Sequence, residues 1–84
     1  MTTLDQALKS KKTIFGAERT MKLLKKDKLK AVFLASNTKE DLKEDFGHYA
    51  KIGNVELVEL DMKNKEVGIY CRKPFSVSVV GLEK

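Results

Sequence analysis

The chain has 84 residues, of which 42% are hydrophobic, and this suffices for one small folded domain. Its single cysteine excludes an internal disulfide framework and a multi-cysteine zinc site. Its net charge is +5, and residues 1–30 carry nine basic and three acidic side chains whereas residues 31–84 carry eight and nine. A basic excess confined to one third of the chain favours a nucleic acid or another polyanion as partner, although a solvated lysine-rich surface has the same composition.

The single cysteine fits a reducing, intracellular compartment, and we expect a cytoplasmic protein without a signal peptide or a membrane span. The longest apolar run, residues 31–35, is far too short to cross a bilayer, and charged residues interrupt the segment where a signal peptide has its apolar core. The sequence also contains no internal repeat, low-complexity tract or flexible linker, so we expect a single domain over residues 1–84.

The first third of the sequence predicts a helix, a strand and a second helix. Residues 3–10 are amphipathic, with Leu4, Ala7 and Leu8 directed inward, and residues 13–15 are β-prone. Residues 16–26 place an apolar stripe and a basic face on opposite sides of one helix. The stripe consists of Ala17, Met21 and Leu24, and the basic face consists of Arg19, Lys22, Lys25 and Lys26 beside Glu18.

The rest of the chain predicts three strands that alternate with two helices. Residues 30–36 are continuously apolar, as in a strand covered on both faces. Thr38 and Asp41 have the spacing of a capping box for the next helix, which should end near Lys51 with Gly53 as its stop. The core stripe of this helix is Leu42, Phe46, Tyr49 and Ala50.

The last elements in this prediction are strand 55–60, helix 64–71, a basic loop at residues 72–74 and strand 75–82. Strands that alternate with helices over so short a chain indicate an α/β protein. We therefore expect a three-layer α/β/α sandwich around a mixed four-stranded sheet.

Four stretches of the sequence carry a resemblance to a known family: residues 16–25, 30–51, 66–68 and 72–80. Residues 30–51 are the most specific, because an apolar strand ends there in Ala-Ser-Asn and a charged helix closes on Tyr-Ala-Lys. The chain resembles ribosomal proteins of the L30e type, within the wider L7Ae family of kink-turn RNA-binding proteins. The similarity extends from about Leu4 to Leu82, and we expect the carboxy-terminal extension usual in the type to be missing.

The resemblance implies RNA binding without catalysis. Members of the family bind a kink-turn, which is an RNA duplex bent sharply at a short bulge beside tandem sheared G·A pairs. The positions that approach those pairs match Gly16, Ala17, Glu18, Arg19 and Lys22, and Lys26 extends the same basic face. The asparagine that ends the central strand matches Asn37, and the loop over the bulged nucleotides matches Arg72, Lys73, Pro74 and Phe75.

The sequence departs from the family pattern at two places. Many kink-turn binders carry Asn-Glu where this chain has Glu18-Arg19, and a carboxylate at Glu18 accepts a hydrogen bond from an exocyclic amine but repels phosphates. Arg72 replaces a glycine that is usual in the type, which reduces backbone freedom at that position while adding a cation for a phosphate.

Four of the matched residues also have purely structural interpretations. Gly16 suits any strand-to-helix turn, and Lys22 suits an i,i+4 partner of Glu18. Asn37 is equally suited to capping a helix. Phe75 belongs either to the core or to a position where it stacks on a splayed base.

The remaining reactive or aromatic side chains fit packing or solvation. We interpret Phe46 and Tyr49 as core residues, His48 as solvated and Cys71 as buried and inert. The sequence contains no phosphate-binding loop, dinucleotide motif, metal-ligand cluster or nucleophile–base pair. We therefore expect no enzyme, no cofactor, no metal ion and no small-molecule substrate.

The leading hypothesis is a structural constituent of the large ribosomal subunit that binds kink-turn-like rRNA beside other proteins of that subunit. A free-standing kink-turn protein of a guide ribonucleoprotein or ribonuclease P is the alternative. A third hypothesis is a protein-interaction adaptor on the same fold, but such adaptors have acidic surfaces, whereas the first third of this chain is basic.

Overall fold

A computed structural model describes residues 4–84, and these residues form four helices and four strands. The elements are α1 (Leu4–Ser10), β1 (Thr13–Phe15), α2 (Ala17–Lys25), β2 (Leu29–Leu34), α3 (Glu40–Ile52), β3 (Glu56–Glu59), α4 (Asn64–Tyr70) and β4 (Val79–Glu83). Every predicted element is present, most of them with ends within two residues of the prediction. Thr3, the expected start of α1, lies outside the described residues. None of the helices in this range is long and apolar enough to cross a membrane.

The four strands form one mixed sheet in the order β1-β4-β2-β3. β2 and β3 are parallel, whereas β4 runs antiparallel to both of its neighbours. Successive residues of β2 contribute to two different cores: Ala31 and Phe33 pack with α1 and α4, while Val32 and Leu34 pack with α2 and α3. The predicted α/β/α sandwich with a mixed four-stranded sheet is confirmed.

The sheet topology gathers three loops at one edge. Phe15 at the end of β1 lies opposite Val80, and Leu34 at the end of β2 lies opposite Val79, so both strands end where β4 begins. The segments that follow β1 and β2 and the segment that precedes β4 therefore meet at this edge. A hydrogen bond of 2.9 Å from the N–H of Ala35 to the carbonyl of Ser78 joins two of these segments.

Helix α2 packs on the sheet through a residue that the predicted stripe omitted. Thr20 and Leu24 are its fully buried residues, while Ala17 and Met21 are half-buried. Gly81 of β4 makes room for this packing, because a Cβ atom there would lie 2.9 Å from Cγ2 of Thr20. The close approach of α2 to the sheet thus depends on a glycine in the opposite element.

Each helix in the described range is followed by a non-glycine residue with positive φ. These residues are Lys11, Asp27, Asn54 and Arg72, with φ between 55° and 60°. Gly53, the predicted stop of α3, does cap that helix but has φ −86°. The left-handed position is one residue later, at Asn54, because the helix continues to Ile52 rather than ending near Lys51. Asparagine tolerates this conformation better than most residues.

Two further sequence predictions are wrong. The capping box at Thr38 and Asp41 does not form, since α3 begins at Glu40 with Lys39 at its cap, and the Thr38 hydroxyl donates instead to the carbonyl of Ser78 at 3.3 Å. The last strand begins at Val79 and not at Phe75, because the preceding segment hydrogen-bonds to α4. The N–H of Val77 donates to the carbonyl of Asn64 at 3.1 Å.

Candidate nucleic-acid interface

A concavity of about 730 Å³ lies where β1, the start of α2 and the loop before β4 meet. We call it the β1–α2 concavity. It brings together six of the residues predicted to bind RNA: Gly16, Ala17, Glu18, Arg19, Lys73 and Phe75. The three residues of β1 complete its lining.

Gly16 is required by backbone conformation and not by space. Its φ is 113°, a value that side-chain-bearing residues rarely adopt, and a Cβ atom at this position would meet no atom within 4 Å. Its N–H donates to the carbonyl of Val79 and its carbonyl accepts from Thr20, both at 3.1 Å. No side chain caps α2, and the first N–H groups of a helix have no partner within it. The turn glycine therefore also leaves helix donors open to a ligand.

The exposed residues of α2 are available to bind an anion. Lys22 and Glu18 do not form the ion pair that their spacing allows, since the one salt bridge in the described range joins Lys84 to Asp27. Lys22 lies beside Arg19 in a groove between α2 and α3 whose far side carries Asp45. Lys26 caps the other end of α2 and lines neither depression.

Phe15, a β1 residue without a predicted binding role, holds Lys73 in the loop before β4. The ammonium of Lys73 lies 4.6 Å from the centroid of the Phe15 ring, an arrangement in which the ring stabilises the cation. The sequence feature that could have indicated this role is an aromatic residue at the end of a short strand, directly before Gly16. A fixed cation at this position contributes positive charge to the β1–α2 concavity.

Phe75 is 56% exposed and lies in the loop before β4. The core interpretation of this residue is therefore wrong, and stacking of its ring on a base stays a prediction. Pro74 is also exposed, on the side of the loop that faces α4.

Arg72 lies away from the β1–α2 concavity. It lines a separate depression beside α1, together with Asp5, Tyr70 and Cys71, and the Tyr70 hydroxyl donates to Asp5 there. With φ 59°, Arg72 occupies the left-handed position that follows α4. The N–H of Arg72 donates to the carbonyl of Ile69, and the N–H of Lys73 donates to the carbonyl of Gly68. These two hydrogen bonds are typical of a helix end at which glycine is the usual residue.

Asn37 does not cap α3, and its side chain is engaged with α4. Its amide nitrogen donates to Oδ1 of Asn64, and its Oδ1 accepts from the N–H of Asn64, both at 2.9 Å. Asn37 remains exposed at the sheet edge where the three loops meet, outside the residues that line the β1–α2 concavity.

Gly68 in α4 sets the course of the loop that carries Phe75. A Cβ atom at Gly68 would clash with the carbonyl oxygen of Phe75, and the carbonyl of Gly68 accepts the N–H of Lys73 at 2.8 Å. The sequence gives no local signature of this contact, because the residue that Gly68 meets lies seven positions later.

The other notable side chains behave as packing or surface residues. Phe46 is fully buried, and Tyr49 is half-buried, with the Lys25 ammonium 5.1 Å from its ring centroid. His48 is exposed and contacts the Tyr49 ring edge-on. Burial raises the pKa of the Cys71 thiol, and the positive charge of Lys73 acts in the opposite direction. No group of three potential metal ligands occurs within residues 4–84.

Comparison with solved structures identifies the fold. A Bacillus halodurans protein of unknown function superposes with a TM-score of 0.81 at 15% identity, covering 93% of this chain and 77% of that protein. The Giardia lamblia 15.5kD RNA binding protein superposes with a TM-score of 0.76, also at 15% identity, covering 93% and 65%.

Comparison of sequences identifies the family. The large ribosomal subunit protein eL30 of Saccharolobus solfataricus is 40% identical over 79 residues, covering 94% of this chain and 73% of the relative. The eL30 protein of Methanothermobacter thermautotrophicus is 42% identical over 67 residues, covering 80% and 68%. The profile of the ribosomal protein L7Ae/L30e/S12e/Gadd45 family matches residues 1–84. The chain therefore belongs to the ribosomal protein L7Ae/L30e/S12e/Gadd45 family.

Proposed function

We propose that this protein is a structural, non-catalytic constituent of the large ribosomal subunit that binds and stabilises kink-turn-like rRNA in the cytoplasm. Relatives at about 40% identity that bear the name of a large-subunit protein support this assignment. In this role its partners are rRNA and neighbouring proteins of the subunit.

The observation that carries the proposal is the β1–α2 concavity itself. Uncapped helix donors lie along one side of it, and a fixed cation and an exposed aromatic ring lie along the other. Helix donors and lysines hold phosphates, while an exposed ring stacks on an unpaired base. A duplex that is bent at a bulge presents both groups to one small surface, whereas a straight duplex keeps its bases stacked inside.

The test is a titration of the protein with two RNA duplexes of equal length, one containing a kink-turn and one fully paired. We expect tighter binding to the kink-turn, with a salt dependence that reflects roughly three to five neutralised phosphates. Equal affinity for the two duplexes would reduce the interaction to non-specific charge attraction.

A second experiment separates the ribosomal role from that of a free-standing kink-turn protein. The protein is tagged in its own cells, and lysate is fractionated after a high-salt wash. Co-sedimentation with large-subunit particles is the expected result. Retention in light fractions together with a small RNA would favour a guide ribonucleoprotein or ribonuclease P.

A further inference from the structure

A second, smaller concavity lies on the opposite side of Phe75, against the outer surface of α4. We call it the α4 concavity. Its volume is about 260 Å³, and it is lined by Lys65, Ile69, Lys73, Pro74, Phe75 and Ser76. Lys73 and Phe75 line the β1–α2 concavity as well, so these two side chains form a ridge with a depression on each side.

The α4 concavity brings two exposed apolar side chains to one place. Ile69 is 76% exposed and Phe75 is 56% exposed, and they adjoin each other across the depression. The tip of Pro74 extends this surface. These grouped apolar side chains make the depression a candidate binding surface.

The charges around this apolar surface are positive. Lys65 and Lys73 line the depression, and neither takes part in a salt bridge, the one such pair in the described range being Lys84 with Asp27. No acidic residue lines it. An apolar wall with two lysines suits a nucleobase with its phosphates, since every base has a flat face for stacking and every nucleotide a negative charge.

We propose that the α4 concavity is a second nucleotide subsite, in which an unpaired nucleotide packs against Ile69 with its phosphate on Lys65. This inference rests on the proposed RNA-binding function. The shared ridge is the reason to choose RNA over a protein partner, because a strand with one base on Phe75 in the β1–α2 concavity reaches the α4 concavity with a neighbouring nucleotide.

The apolar part of the subsite is tested with a matched pair of variants, Ile69→Ala and Ile52→Ala. Ile52 is 69% exposed on α3 and lines neither concavity, so the same atoms are removed at a similar exposure elsewhere. The probe is a kink-turn RNA with unpaired bulge nucleotides. We expect Ile69→Ala to lower the affinity about three- to tenfold and Ile52→Ala to leave it unchanged.

The phosphate contact is tested with Lys65→Ala, and Lys51→Ala on α3 serves as its control. A contact between Lys65 and a phosphate should reduce the slope of log affinity against log salt concentration by about 0.7 to 0.9, and Lys51→Ala should not change it. Melting temperatures of all four variants should stay at the wild-type value, since each side chain is exposed.

The outcomes separate this inference from the function on which it rests. Wild-type affinity in Ile69→Ala together with a wild-type salt slope in Lys65→Ala would overturn the subsite and leave the apolar surface to a protein partner. Failure of the wild-type protein to prefer a kink-turn over a straight duplex would overturn the proposed function itself.

Discussion

Asn37 and Asn64 are joined by two hydrogen bonds of 2.9 Å although 27 positions of sequence separate them. Asn64 is the first residue of α4, so its N–H has no acceptor within the helix, and Oδ1 of Asn37 supplies one. Asn37 thus caps a helix, as its residue type suggested, but it caps α4 and not α3. The carbonyl of Asn64 in turn accepts the N–H of Val77. This pair therefore links the segment after β2 and the segment before β4 through the start of α4.

The first prediction concerns this asparagine pair. If Asn37 contacts RNA and Asn64 orients it, Asn64→Ala should weaken kink-turn binding by about 0.5–1.5 kcal/mol through the lost hydrogen bond. In an Asn37→Ala background the same change should have almost no further effect, because the side chain it orients is gone. The measurement is a double-mutant cycle of RNA affinities. Strictly additive losses would show that the two side chains act independently.

The second prediction concerns the basic face of α2. Replacing Arg19 and Lys22 together by alanine should weaken RNA binding by about 1–3 kcal/mol, because both are exposed and line the groove between α2 and α3. The matched control replaces Lys51 and Lys63, which are equally exposed and line neither concavity. Isothermal titration at two salt concentrations is the measurement. An equal loss in the control pair would place the interface on another face.

The third prediction concerns Arg72 and protein stability. Arg72 has φ 59° at a helix end, and a left-handed conformation costs a side-chain-bearing residue about 1–2 kcal/mol. Glycine does not have this cost, but it loses more conformational entropy on folding than arginine does. After that loss is deducted, Arg72→Gly should raise the free energy of unfolding by about 0.5–1 kcal/mol. Urea denaturation measures the difference.

Arg72→Ala is the control for this substitution. Alanine removes the charge but keeps the unfavourable backbone conformation, so its unfolding free energy should not exceed that of the wild type. If alanine stabilises as much as glycine, charge repulsion between Arg72 and neighbouring cations was responsible and the backbone was not.

The fold could be predicted from the sequence because its patterns are local. A continuous apolar run marked β2, and the apolar spacing in α3 marked Phe46 and Ala50 as buried. That Gly16 and Arg19 lie together in the candidate interface was predictable for the same reason, since both belong to one strand–turn–helix unit.

The sequence predictions that are wrong concern residues whose conformation depends on contacts with segments far away in the sequence. The sequence shows two asparagines but not that Asn37 pairs with Asn64, and it assigns Phe75 to a strand because β-prone residues follow it. The contacts of its loop with α4 override that propensity. Arg72 is a further example. The end of α4 determines its backbone conformation, and its side chain lines a different depression from that of the neighbouring Lys73.

The fourth prediction concerns Phe75. Since its ring is 56% exposed, Phe75→Leu should leave the melting temperature unchanged. It should weaken RNA binding by about 1 kcal/mol or more, because leucine cannot stack on a base. Thermal denaturation and a binding titration on this one variant give both quantities. A lower melting temperature with unchanged affinity would remove Phe75 from the interface and leave Lys73 as the functional residue of the loop.

The last prediction compares two helical glycines. Gly47 in α3 has open surroundings, with its nearest neighbour, a Leu57 methyl carbon, 3.8 Å from a Cβ atom placed there. Gly47→Ala should therefore stabilise the protein by up to about 1 kcal/mol through helix propensity. Gly68→Ala offers the same gain of propensity in α4, but its Cβ would clash with the backbone of Phe75. The loop has to move, and since that backbone is tied to α4 at Lys73 and Val77, the displacement breaks hydrogen bonds.

We expect Gly68→Ala to lower the melting temperature and also to weaken RNA binding at temperatures where the protein is fully folded. The displaced loop carries Lys73 and Phe75 away from the start of α2, so binding should decrease even though no side chain of the interface has been removed. Gly47→Ala should keep wild-type affinity. Circular dichroism establishes the folded range for each variant, and titrations within it measure the affinity. If Gly68→Ala binds normally while folded, the position of the loop does not control recognition, and Arg19 and Lys22 supply most of the binding energy.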